Sequence, residues 1–265
     1  MRLASSPMKG RTACLLLVAL SALAGPPFRT DDPEPVEPGH LEFYVFGAGQ
    51  RVPGDSSGVG PALEFNYGIL PEVQLHGVVP WAFDRPRGAP SQTGRGDTEL
   101  GVKVRFLHET DSRPQIGVFP LVELPTGDAA KGLGAGHTQV YLPVWIQKGW
   151  GPWITYGGWG WWRNPGEGNR DWTYAGWLLQ RDFGERLTLG AEVFHTTAAT
   201  LEGQAASGFD LGGQVNVGAK HHLLFSAGRN VSGERQTFAY LGYQFTTGGF
   251  GTLADWLRAS RHPER

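Results

Sequence analysis

Residues 236–245, QTFAYLGYQF, alternate in polarity: Ala239, Leu241, Tyr243 and Phe245 share one face, and Tyr240, Gly242 and Gln244 the other. A period of two is the mark of an extended strand with two unlike faces. From residue 40 onward the same alternation recurs about every 15 to 20 residues. Twelve segments carry it: 40–49, 62–68, 73–83, 98–107, 115–124, 137–147, 153–162, 172–181, 187–196, 209–217, 222–229 and 237–245. The chain therefore reads as all-β, an up-and-down antiparallel transmembrane β-barrel of about 12 strands. An even count lets both ends of the barrel lie on one side of the membrane.

The apolar phase separates a membrane barrel from a soluble sandwich. Leu41, Phe43, Val45, Leu63, Phe65, Val79, Trp81, Leu100, Val102, Leu142, Val144, Leu189, Val193, Leu211, Leu223 and Phe225 all fall on it, and no charged residue joins them at mid-strand. Arg181 and Arg229 share the phase only at strand ends, where a long side chain reaches the headgroups. A Lys or Arg at mid-depth would cost about 2–4 kcal/mol, so the exclusion has a physical cause. Link lengths give a second sign. Short links at 69–72, 108–114, 148–152, 182–186 and 218–221 alternate with longer ones at 85–97, 125–136, 164–170 and 197–208. Short periplasmic turns and longer outer loops produce that pattern, and they put the start of the first strand in the periplasm.

On the opposite phase lie Glu42, Glu64, Gln74, His76, Glu99, Lys103, Arg105, Glu123, Gln139, Glu192 and Asp210, a polar lumen lining in which carboxylates outnumber cations. A like-signed lining favours cations. Cross-strand pairing of Lys103 and Arg105 with neighbouring acids fits a closed polar core equally well. Twelve strands stand between filled small barrels and open porins, so both readings stay open. The stretch 149–180 holds Trp150, Trp153, Trp159, Trp161, Trp162, Trp172 and Trp177. Its faces differ little in polarity, which leaves the strand 153–162 unoriented. An aromatic girdle is the simpler reading, and a stacking path for apolar or aromatic solutes is the sharper one.

At the amino end Arg2, Lys9 and Arg11 precede an apolar run, 13–24, that finishes in Ala22-Leu23-Ala24. Residues 1–24 are expected to be a secretory signal peptide cleaved before Gly25. Residues 25–39, rich in Pro, Asp and Glu, show no periodicity and are expected in the periplasm or tucked into the barrel mouth. The barrel follows over 40–245. Residues 246–265 are expected as a periplasmic tail, either a frayed end or a short helix in which Leu253, Trp256 and Leu257 make one stripe with Arg258 and Arg261 available to lipid heads. The single cysteine, Cys14, lies in the leader, so a processed chain has no disulfide. A net charge of -2 gives no electrostatic footprint for nucleic acid. The partners expected are outer-membrane lipid, the barrel-assembly machinery and a small-molecule solute, with a monomer by default and no cofactor or metal.

Enzymatic chemistry is not expected. His195 shares the lipid-facing phase near the outer edge, as a lipid hydrolase would require, but Ser207 falls in an expected loop and Ser226 points inward. The adjacent His221 and His222 point apart and make a poor metal pair. The glycines of 127–136 lack a following Gly-Lys-Ser/Thr, so they read as a mobile outer loop and not a phosphate cradle.

The strand 236–245 resembles the carboxy-terminal assembly signal of bacterial outer-membrane proteins, with Tyr243 and Phe245 as its aromatics. It departs in carrying Tyr240 where a Gly is often found and in the tail that follows. GDTELGVKVRFL (96–107), PQIGVFPLVELPTGD (114–128), GLGAGHTQVYLPVW (132–145), GAEVFH (190–195) and RTDDPEPVEPGHLEFYVF (29–46) are similar to a family of bacterial outer-membrane barrels, the transporter-like products of the meta-pathway of phenol degradation. That resemblance implies an outer-membrane location and passage of small hydrophobic compounds. Passive passage of small apolar, aromatic or cationic solutes is thus the first expectation. A closed structural or surface-interaction barrel is the second, and a lipid hydrolase the third.

Overall fold

A computed structural model describes residues 25–252, where twelve antiparallel strands close into one barrel. They are β1 (Leu41–Val52), β2 (Asp55–Leu70), β3 (Val73–Arg85), β4 (Gln92–Arg95 and Thr98–Leu107), β5 (Gln115–Val118 and Leu121–Leu124), β6 (Gln139–Trp150), β7 (Trp153–Arg163), β8 (Trp172–Phe183), β9 (Leu187–Thr196), β10 (Ala206–Gly218), β11 (His221–Ser232) and β12 (Thr237–Thr247). Each segment that alternates in the sequence is a strand. Both pieces of β4 pair with β3, and both pieces of β5 pair with β6. The interruption in β5 falls at Phe119-Pro120, where proline has no N–H for the ladder. β12 closes the barrel against β1, with Phe245 opposite Phe43 and Tyr243 opposite Val45, so no sheet edge stays unpaired.

Two features of the connections depart from expectation. Residues 50–61 extend β1 and β2 to a tight turn at Pro53-Gly54, with Gly54 at φ 104°. The small polar side chains here hide the alternation, and ladder pairing such as Gln50 with Ser57 decides the conformation. The outer links are therefore not uniformly long. The loop after β5 is also tied down: Asp97 accepts the N–H of Gly127 at 2.8 Å and of Ala135 at 2.6 Å, and Leu133 is buried beneath it.

The outer wall is a belt of exposed apolar side chains, among them Leu63, Trp81, Leu142, Val193, Leu211 and Leu241. A water-soluble protein does not sustain an apolar band of this extent, whereas hydrocarbon solvates it. Arg181, at an end of β8, lies over the rings of Trp153 and Phe183 at 5.2 and 5.0 Å. At the end bearing the short turns, here the inner end, β12 runs on to Thr247. Phe250 then packs edge-on against Tyr67 at 6.4 Å and donates its N–H to the Gly39 carbonyl at 3.1 Å. The expected leader, 1–24, and the expected apolar stripe from Leu253 to Leu257 with Arg258 and Arg261 lie outside the described residues.

Candidate functional site: plug and outer cup of the lumen

Residues 25–39 sit at the inner mouth only around Glu37 and Pro38, and otherwise reach deeper than expected, with Thr30 and Asp31 fully buried. They enter the lumen and fill its inner half. Pro38 bridges to Gly68, and the Val36 N–H donates to Gln74 at 2.9 Å. Glu34 lies 3.6 Å from Arg105 and accepts from Gln115 at 3.4 Å and Gln147 at 3.3 Å. Asp31 pairs with Lys103 at 3.0 Å, and Asp32 stands 3.6 Å from the same ammonium. Thr30 gives Glu192 its backbone N–H at 2.8 Å and its hydroxyl at 2.6 Å, and the Arg29 N–H reaches the other carboxylate oxygen at 3.0 Å. Phe28 packs with Tyr156 and Leu178, and the Pro27 carbonyl accepts the Ser226 hydroxyl at 2.7 Å.

The physical reason for this path is the wall charge. Lys103 and Glu192 project at mid-barrel, where an unpaired charge costs several kcal/mol, and the plug supplies their partners. Small residues make room for it. A Cβ on Gly176 would sit 2.1 Å from the Thr30 hydroxyl, and one on Gly117 would sit 3.0 Å from Pro33. The sequence did carry the signal that mid-lumen charges need partners, but an aperiodic Pro-rich stretch does not say where it goes.

The residues expected in the lining do face inward, but they form no free acidic ring. Glu192 is saturated by the plug and by the Tyr174 hydroxyl at 2.5 Å. His76 is held between Asn66 at 2.7 Å and Glu99 at 2.9 Å, and Asn66 donates to Glu64 at 3.0 Å. Glu42 accepts from Tyr44 at 2.7 Å, Gln74 donates to Asn66 at 2.9 Å, and Gln139 donates to Asn164. Glu123 stands opposite Glu99 on one side and Gln139 on the other. Asp210 is buried on β10, beside Glu192 in register. At the inner end Arg105 donates to Glu72 at 2.6 Å, and that hydrogen bond holds the turn carboxyl of Glu72 below its ordinary range.

Above the plug opens a cavity of about 380 Å³, the outer cup. Tyr141, Trp162 and Trp172 stack in its wall, with centroids 4.6 and 5.5 Å apart and planes within 12° and 6°. Phe194 and Phe238 meet at 5.6 Å. The Arg29 guanidinium lies over both, 4.0 Å from Phe238 and 4.8 Å from Phe194. The tryptophans of 149–180 thus divide. Trp162 and Trp172 face inward, Trp150, Trp153, Trp159 and Trp177 are exposed on the wall, and Trp161 is half-buried on the outward phase. Glycine permits the inner stack, since a Cβ on Gly160 would lie 2.3 Å from the Tyr141 ring. Trp145, fully buried and 6.3 Å from Tyr174, belongs to the same interior layer. Its phase with Tyr141 could have placed it there.

The histidines differ in part from expectation. His221 and His222 do point apart, the first hydrogen-bonded to Tyr243 at 2.6 Å and the second to Asn216 at 2.7 Å. Ser207, expected in a loop, is instead on β10 directly opposite His195, with the hydroxyl 2.9 Å from Nδ1. Among the described residues no carboxylate or amide side chain bonds the other ring nitrogen, so the orienting member of a hydrolytic triad is missing. A fluorogenic phospholipid offered to the refolded protein should release no product. Turnover abolished by Ser207→Ala would overturn that expectation.

No protein-family model matches the sequence, and no curated protein does either. Solved structures do match the fold. A COG4313 outer membrane channel from Pseudomonas putida F1 superposes with a TM-score of 0.67 at 17% identity, over 82% of this chain and 98% of that one. The KdgM porin in complex with disordered oligogalacturonate gives 0.54 at 11% identity, over 76% and 98%. The NanC porin gives 0.54 at 7%, over 77% and 98%. This chain shares the closed barrel fold of outer-membrane channels and porins.

Proposed function

We propose that the chain is an outer-membrane barrel through which small solutes pass passively, closed at rest by residues 25–39. The observation that carries the reading is a lumen divided into an aromatic outer cup and an inner plug whose anchors, beyond the backbone bridge at Pro38 and Gly39, are made through side chains. Those contacts can be exchanged for water without breaking a ladder hydrogen bond of the wall. The resemblance to products of the phenol meta-pathway favours aromatic solutes, in keeping with the inward Trp162 and Trp172. Insertion proceeds through the barrel-assembly machinery, with Tyr243 and Phe245 on the closing strand as its signal, and the barrel acts as a monomer. The second reading, a permanently closed structural barrel, is favoured by the completeness of the plug's pairing.

Single-channel recording of refolded 25–265 in a planar bilayer separates the two. The expected result is discrete small steps whose cation preference falls in Glu123→Gln, because Glu123 faces the lumen next to Glu99. A heat-modifiable barrel that stays silent at every voltage, with and without its plug, would establish the closed reading.

A further inference from the structure

We propose that the outer cup is a binding site for small aromatic carboxylates, with the ring stacked on the wall and the carboxylate on Arg29. The proposal deepens the passage reading by naming a solute class.

The charge comes from Arg29. Its backbone is tied to Glu192, but its half-buried guanidinium forms no ion pair among the described residues. Glu192, the acid next to it, is already occupied by Thr30 and Tyr174. Asp210 lines the cup low on its wall, almost fully buried beside Glu192, and Glu202 and Glu234 belong to the cup's outer loops. Arg29 is the one Lys or Arg among the described residues that line the cup, and so the one cationic anchor there for an anion. The guanidinium carbon lies over the Phe238 and Phe194 rings at 4.0 and 4.8 Å, and among the described residues none of its N–H groups has a hydrogen-bond acceptor, which leaves them for an incoming one. A carboxylate matches that fork bidentately, and away from bulk water the charge-assisted bonds gain strength.

The ring site comes from the wall. Trp162 is covered on both sides by Tyr141 and Trp172, whereas Trp172 ends the stack half-buried, with no second ring on it among the described residues. A planar guest prolongs the stack by one member. A volume of about 380 Å³ suits a single-ring molecule, at the small end of ligand sites.

Calorimetric titration of refolded 25–265 with benzoate, benzyl alcohol and cyclohexanecarboxylate tests this. Benzoate should bind saturably, and the neutral and the non-aromatic analogues should each bind about tenfold or more weakly. Arg29→Gln should cost benzoate about tenfold or more while leaving benzyl alcohol unchanged, and Arg29→Lys should recover part of the loss. Arg29 lies on the plug, so Trp172→Leu serves as the second variant and should weaken benzoate and benzyl alcohol together. Heat-modifiable migration confirms folding of each. Equal binding of benzoate and benzyl alcohol, or unchanged benzoate binding in Arg29→Gln, would overturn the site. Binding is read without current. A silent barrel that binds benzoate would end the passage reading and keep the cup, and a conducting barrel indifferent to benzoate would do the reverse.

Discussion

Excising residues 26–38 is expected to convert a narrowly conducting or silent barrel into one with steps several times larger, while heat-modifiable migration is retained. The wall does not need the plug. Its ladders run from the β1–β12 seam around to β1 again, and they stay complete without a plug residue. What the plug occupies is the inner half of the lumen, where Phe28, Thr30 and Asp31 are fully buried. Their removal leaves polar groups such as Glu192, Gln115 and Gln147 facing vacated space, which water fills because each group can hydrogen-bond to it. Ion flow then follows from continuity of that water. The comparison is made with intact protein in the same bilayer, and an unchanged conductance would mean that the constriction lies in the aromatic cup.

Lys103→Met should act in the same direction without shortening the chain. Lys103 is the ammonium that Asp31 and Asp32 share, and side-chain exposure of the closer pair is only 6% and 2%. Removing one partner of a buried pair costs about 3–5 kcal/mol because the other charge is left uncompensated. A loss of that size moves the balance between seated and released plug by about two orders of magnitude or more. The expected signature is frequent long openings at the conductance of the excised form, and rescue of the closed level by the double variant Lys103→Met with Asp31→Asn. If Lys103→Met lowers the heat needed to unfold the barrel but leaves gating unchanged, the pair stabilises the wall and not the plug.

The barrel was legible because lipid imposes a rule on every second residue of every strand. Leu63, Phe65, Leu142 and Val144 obey it, and their phase placed Glu64 inside by subtraction; the same step, not taken, would have put Tyr141 and Trp145 there. The plug was not legible. Its positions are fixed by contacts across most of the chain, Thr30 with Glu192 and Pro27 with Ser226, and no local period records such pairings. The Ser207 and His195 pairing escaped for a related reason: a short polar run, ASG, looks like a loop until its neighbour's ladder extends it into β10. The orientation of β7 was hidden because Trp159 and Trp162, one facing lipid and one the cup, are the same residue type on opposite faces.

The plug is also continuous with β1 through Gly39, whose N–H bonds the Gly68 carbonyl at 2.8 Å. A released segment therefore stays within reach of its seat, at an effective concentration in the millimolar range that a short tether sets. Resealing is a first-order event of one chain. Its rate does not depend on how many copies the membrane holds, and the time spent open is fixed by the strength of the seat and the length of the leash.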